Sequence, residues 1–199
     1  MPDSRKHCQP RGIGAVWRAK GERKMITTKG INHVALVCRD MAETMRFYTQ
    51  VLGMPLFKTV ELPDGGQHFF FDAGGGNAVA FFWWQDAPPA APGIASVKKF
   101  PFDAKTAVGS MNHLAFDMEE AELEAALERL QEAGVPHTHM VFNHDDSPSG
   151  YAREMHEGVF VRSVYFTDPN GIMLEFAATT RSFGPEDIRH TPATLAEDA

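Results

Sequence analysis

Apolar residues recur along this chain in two rhythms. Around residues 41–52, Met41, Met45, Tyr48 and Leu52 follow spacings of four, three and four, and Leu123, Leu127 and Leu130 do the same within residues 119–133. That period places each set on one face of a helix. Asp40 with Glu43 three residues later predicts an N-cap for the first helix. "LGMP" (52–55) and "AGVP" (133–136) predict the two stops, a glycine just past the helix end and a proline two residues further on. Elsewhere the apolar runs are short and suit strands. "INHVALV" precedes the first helix, and "LFKTVEL", "HFFFD" and "AVAFFWW" follow it. "MNHLAF" precedes the second, and "HTHMVF", "VFVRSVYFT" and "GIMLEF" follow it.

The order strand, helix, strand, strand, strand therefore occurs twice. "INHVALVCRDM" (31–41) and "MNHLAFDMEEA" (111–121) share Asn-His, an aliphatic residue and Ala at an offset of 80 residues. That period is too long for a solenoid and fits a duplicated βαβββ module. The expected fold class is α+β, with paired modules forming a concave, barrel-like mixed sheet. Module one covers about residues 29–86, a linker 87–109, and module two 110–178. One face of each sheet lies under its helix, and the other is expected to meet the partner module. Strand side chains alternate between faces. With Val34, Leu36, Leu114, Phe116, Ile172, Leu174 and Phe176 under the helices, His33, His113 and Glu175 fall on the open, concave faces.

Composition narrows the class. Of 199 residues, 43% are hydrophobic and 23% charged, enough apolar material for a core. A net charge of −7 argues against a nucleic-acid partner. Two cysteines, Cys8 and Cys38, build no disulfide framework, so a reducing cytoplasm is expected. No apolar run approaches the ~18 residues of a membrane span. Residues 1–28 read as a basic, disordered extension. Seven Lys/Arg against Asp3 and Glu22 lie before Met25, and the preferred reading makes Met25 the natural start. A targeting segment is disfavoured by the single hydroxyl residue, Ser4. Residues 179–199 read as a loosely attached tail.

Either histidine alone is an ordinary strand residue. Together with Glu175 they form a convergent set, two imidazoles and a carboxylate at matching positions of a duplicated unit. That donor set suits a divalent transition metal with open coordination positions, most of all non-haem Fe(II), with Mn(II) or Zn(II) as alternatives. The ion would neutralise the carboxylate placed in an apolar strand.

With the duplicated "NH-aliphatic-Ala" strands, the helix end "FYTQVLGM" and the turn "DPNGIMLEF", residues 29–178 resemble the vicinal oxygen chelate superfamily. That group includes glyoxalase I, extradiol dioxygenases and fosfomycin-resistance enzymes. The resemblance implies His33, His113 and Glu175 as metal ligands. Glyoxalase I carries a further ligand on the last strand of module one, where this chain has Val79 or Ala80. The three-ligand pattern resembles single-domain extradiol dioxygenases. So does His156, followed by seven residues, Val164, Tyr165, "FTDPNG" and Glu175. By that resemblance His156 and Tyr165 are catalytic, hydrogen-bonding the substrate and moving its protons. Glu154 replaces the small residue usual two positions before the histidine, and 86–110 lacks the histidine these enzymes usually carry before the second metal ligand.

The loop 143–158, with His144, Asp145, Tyr151, Arg153 and His156, is long enough to be a lid. His68, His137 and His139 read as structural or solvent-facing. The functional expectation is ring cleavage of a small catecholic substrate with O2 by a cytoplasmic protein, with a homodimer or higher oligomer possible. The alternatives are a glyoxalase-like lyase, isomerase or thiol transferase, and a ligand-sequestering protein resembling those of bleomycin resistance.

Overall fold

Apolar strands with a two-residue alternation pair into two separate four-stranded sheets in the computed structural model, which describes residues 28–63, 65–91, 106–188 and 190–191. The basic N-terminal stretch, most of the expected linker and the end of the tail lie outside the described residues. Module one comprises β1 (His33–Val37), α1 (Met41–Arg46), β2 (Leu56–Glu61), β3 (Gln67–Gly74) and β4 (Asn77–Trp83). Module two comprises β5 (Leu114–Asp117), α2 (Leu123–Glu132), β6 (Phe142–His144), β7 (Val161–Thr167) and β8 (Met173–Thr179). The strand orders β1-β4-β3-β2 and β5-β8-β7-β6 are identical in form, with the first pair parallel and the others antiparallel. The duplication read from the Asn-His repeat is thus a duplication of topology.

The helix ends follow their local chemistry. Asp40 accepts from the Glu43 backbone N–H at 2.8 Å, capping α1. The helix then widens into a π-helical turn, Phe47–Val51, before Gly53 ends it with φ +72°. At the end of α2, Val135 N–H bonds the Leu130 carbonyl and Gly134 N–H that of Gln131, the paired closure that a glycine with φ +66° permits. One expected strand is displaced. The pattern of 137–142 predicts a strand, but β6 is Phe142–His144. Pro136 and Thr138 do bond β7, through Thr167 N–H to the Pro136 carbonyl and Thr138 N–H to the Tyr165 carbonyl. The chain then leaves the sheet and rejoins it at Phe142.

The helix-facing sides of both sheets share one core. Tyr48, Phe71, Phe81, Leu123, Val164, Phe166 and Leu174 are fully buried there. Each such aliphatic or aromatic side chain contributes about 1.5–3 kcal/mol by leaving water. Polar contacts fasten one module to the other. The "DPNG" turn is built on Asp168, whose Oδ1 accepts from Asn170 and Ile172 N–H at 2.8 and 2.9 Å. Asn170 then reaches module one, its Oδ1 accepting from Arg39 N–H at 2.9 Å and its amide donating to Thr44 Oγ1 at 3.3 Å. Arg129 on α2 donates to the carbonyls of Val51 and Gln50, closing the π-helical turn's free end. This packing joins the modules through their helix side and connecting turns.

The two four-stranded mixed sheets give the expected α+β fold of paired βαβββ modules, and they do not close into a barrel. Among the described residues nothing covers the open face of the first sheet. His33, Ala35 and Val37 are all exposed, while Val34 and Leu36 turn toward the helix. Phe57, beside it, is 60% exposed. The described residues up to Thr180 belong to one compact unit, and those from Arg181 onward to another. Within the latter, Arg181 pairs with Asp187 at 2.6 Å.

Candidate functional site

Strand register settles which positions correspond. His33 pairs across from Ala78 and Ala35 from Ala80 in module one, while Ala115 pairs with Glu175 in module two. Ala35 and Ala115 are the repeat's matching alanines. The module-one counterpart of Glu175 is therefore Ala80, not Val79, and a methyl group stands where a second carboxylate would lie.

Glu175 is the centre of the second module's open face. It is only 5% exposed, yet no polar atom of it is orphaned. Ser163 Oγ donates to Oε1 at 2.5 Å, and His113 Nε2 meets Oε2 at 2.8 Å. Ser163 and Tyr165 share the Glu175 side of β7, with Tyr165 directly across from Glu175 in register. Burial pushes the Glu175 carboxyl up, but bonds from His113 and Ser163 outweigh it and hold the pKa below the ordinary carboxylate value. The bond to Glu175 raises the His113 pKa against the opposing effect of burial. Tyr165 is pushed up by burial and by the Glu175 charge, so its hydroxyl stays protonated.

Both expected ligand histidines are held alike by the residue before them. His33 Nδ1 lies 2.8 Å from Asn32 Oδ1, and His113 Nδ1 lies 2.7 Å from Asn112 Oδ1. An amide oxygen only accepts, so each Nδ1 carries the proton. His33 Nε2 is then left on the exposed side of its ring, while His113 Nε2 meets Glu175 Oε2.

The structure brings His113, Glu175, Ser163 and Tyr165 together. It does not add His33 to them. Among the described residues no three His, Cys, Asp or Glu side chains of one chain converge as a metal site. His33 instead lies on the exposed face of the first sheet, edge-on to Phe70, in a recess of about 430 Å³ shared with Asn32, Phe57 and Asp72. Among the described residues the two open faces do not meet around one point. The modules are joined through the helix side, and that leaves the two half-sets apart.

His156, expected beside Tyr165, bonds Asp145 Oδ2 at 3.1 Å and accepts from Gly158 N–H. Its side chain is half-exposed on the long loop. The partner of the Tyr165 hydroxyl is His144 Nε2, at 3.0 Å. His144 Nδ1 faces the Gly150 carbonyl at 3.2 Å, so Nε2 is the acceptor and Tyr165 O–H the donor. The sequence alone places His144 only in a polar loop. Ser163 was missed as well, although its parity with Tyr165 on β7 would have found it. His68 stacks on Phe82 at 3.6 Å, and His137 bonds the Val135 carbonyl at 2.6 Å, so neither joins the set.

The fold and this half-site define a protein built from paired βαβββ modules with an acid–base cluster on an open sheet face. The chain belongs to the Glyoxalase/Bleomycin resistance protein/Dioxygenase superfamily, whose description matches residues 30–176. Among solved structures it is similar to the glyoxalase family protein from Enterococcus faecalis, at 23% identity over 75% of this chain and 97% of that one, with a TM-score of 0.53. It is similar to a glyoxylase/bleomycin resistance protein/dioxygenase domain from Frankia sp. EAN1pec, at 21% identity over 77% and 99%, TM-score 0.53. It is also similar to the genomically encoded fosfomycin resistance protein FosX from Listeria monocytogenes, at 18% identity over 77% and 96%, TM-score 0.51. These likenesses are of fold. A comparison with curated proteins gave no match. Among the described residues no helix is long and apolar enough to cross a membrane.

Proposed function

We propose that the protein is a divalent-metal-dependent enzyme, active as a pair of chains. His33 of one copy completes a site with His113 and Glu175 of the other. The observation that carries this reading is the pre-formed half-site, Nε2 of His113 and Oε2 of Glu175 at 2.8 Å. Two cis donors each ~2.1 Å from one ion are about 3 Å apart, so the pair needs little movement to chelate. The donor chemistry fits a first-row divalent ion. His33 carries the same Asn-held imidazole on a face that the described residues leave uncovered. An exposed sheet face bearing Val37 and Phe57 is suited to cover by a second copy.

The reaction proposed is extradiol-type ring cleavage of a small catecholic substrate by O2, with Fe(II) or Mn(II) as the ion. The ion supplies Lewis acidity and redox chemistry when bound. The chain supplies the proton path. Tyr165, protonated and bonded to His144, is placed to hydrogen-bond a phenolic oxygen and pass a proton through the imidazole. Ala80 leaves a coordination position free that a fourth protein ligand would close. Phe57 and Phe70 beside His33 offer ring faces for an aromatic substrate. His156 retains its proposed catalytic role only if the loop releases it from Asp145.

Anaerobic reconstitution with Fe(II) or Mn(II), then oxygen uptake across a panel of catechols, tests this. Uptake that depends on metal and diol is the expected result, and no uptake with any diol rejects the activity. The second reading, a metal-free ligand-binding protein, draws on the closed His113–Glu175 pair, which satisfies itself without an ion. Failure of the purified protein to bind any divalent metal would favour it.

A further inference from the structure

We infer that Asn32 and Asn112 are positioning residues, each fixing the tautomer and ring direction of the histidine that follows so that Nε2 is the ligating atom. The inference rests on the metal-site reading above and deepens it. Neighbouring side chains in an extended strand point to opposite faces. Yet both Asn-His pairs make a side-chain contact between adjacent residues, at 2.8 and 2.7 Å. Each asparagine sits just before its histidine, ahead of the first residue of its strand. Asn32 is anchored there by Ala78 N–H bonding its carbonyl at 3.0 Å. Asn112 is oriented by its own amide, whose nitrogen donates to Thr106 Oγ1 at 3.4 Å and so turns Oδ1 toward His113.

The contact does something that packing does not require. A neutral imidazole free in water favours the proton on Nε2, which would block that atom as a donor. An acceptor fixed beside Nδ1 moves the proton there and leaves the His33 Nε2 lone pair on the open sheet, while His113 Nε2, held by Glu175 Oε2 in the metal-free chain, would be the atom released to an ion that replaced that contact. The choice of an amide also matters. A carboxylate in its place would make the imidazole more basic and add a negative charge. With asparagine the three-ligand set keeps one negative charge, from Glu175, and a bound divalent ion keeps a net positive charge. The two asparagines recur at the same offset as the two histidines, and they make the same bond.

Two measurements decide it. In metal-free protein labelled with 15N-histidine, at a pH where His33 is neutral, long-range proton–nitrogen NMR is expected to place the His33 proton on Nδ1. Asn32→Leu is expected to return it to Nε2. In metal titrations with Mn(II) or Zn(II), Asn112→Ala is expected to weaken binding by about 10–100-fold, and Asn112→Asp to restore it. A wild-type His33 with its proton on Nε2 would overturn the inference. So would Asn112→Ala binding metal as tightly as wild type. A wild type that binds no metal at all would remove the metal-site reading, while the tautomer measurement would still decide the positioning role.

Discussion

Two single-site variants distinguish a metal centre shared between chains from one enclosed in a chain. His33→Ala removes the imidazole from the first sheet's exposed face, and His113→Ala removes the partner of Glu175. Each variant alone should lose tight metal binding, since every site would lack one of three ligands. Mixing the two under conditions that exchange subunits changes the outcome. In a mixed pair, one site contains both alanines, and the other contains wild-type His33 from one chain with wild-type His113 and Glu175 from the other. Random pairing makes about half of all dimers mixed, each with one intact site of two, so metal content and activity should return to about one quarter of wild type. The assay is metal per chain after desalting, with metal-dependent activity alongside. His33 is exposed and unlikeness of fold is not a concern there, while the His113 variant needs a melting curve to show it folds. Two folded variants whose mixture stays empty of metal would refute the shared centre.

Other outcomes follow from the same contacts. The His113 pKa is raised above its ordinary 6.5, so the pair's stabilisation is full below that pH and is lost as pH rises through the folded value. The Glu175 pKa is depressed below 4.5, so its part is present above that pH and lost as pH falls through the folded value. Urea unfolding of metal-free protein should therefore show a contribution centred between about pH 4.5 and 6.5 that His113→Ala abolishes; a flat difference between the two proteins would contradict it. Ser163→Ala removes a buried bond to a carboxylate, which should cost about 1–3 kcal/mol in denaturant unfolding and move the acid limb to higher pH. Arg129→Ala uncaps the π-helical turn at an exposed position, for a loss of about 1 kcal/mol that a thermal melt would register.

The legible part of this molecule was local and periodic. Asp40 and Glu43, the two Gly-x-Pro stops and the Asn-His repeat each report on a few adjacent residues, and each element they mark is present. Parity likewise put His33, His113 and Glu175 on open faces. What the periodicity of a strand does not carry is which surface covers that face. His33 and His113 have the same local code, yet only His113 finds Glu175 within the chain, because Asn170 and Arg129 join the modules on their helix side. The choice between Val79 and Ala80 needed strand register, since a run of three glycines, 74–76, made the hairpin's length ambiguous from sequence. His144 and His156 sit on one long loop, and only its closure, through Asn143 pairing with Ala152, decided which histidine meets Tyr165.

The fastening of the modules on their helix side has a temporal consequence. On the proposed assembly, a newly made chain folds both halves without being able to grip an ion in full. Metal loading then waits for a second chain, and dilution below the pairing affinity should release the metal and silence the enzyme together. Protein concentration would thus act as its switch.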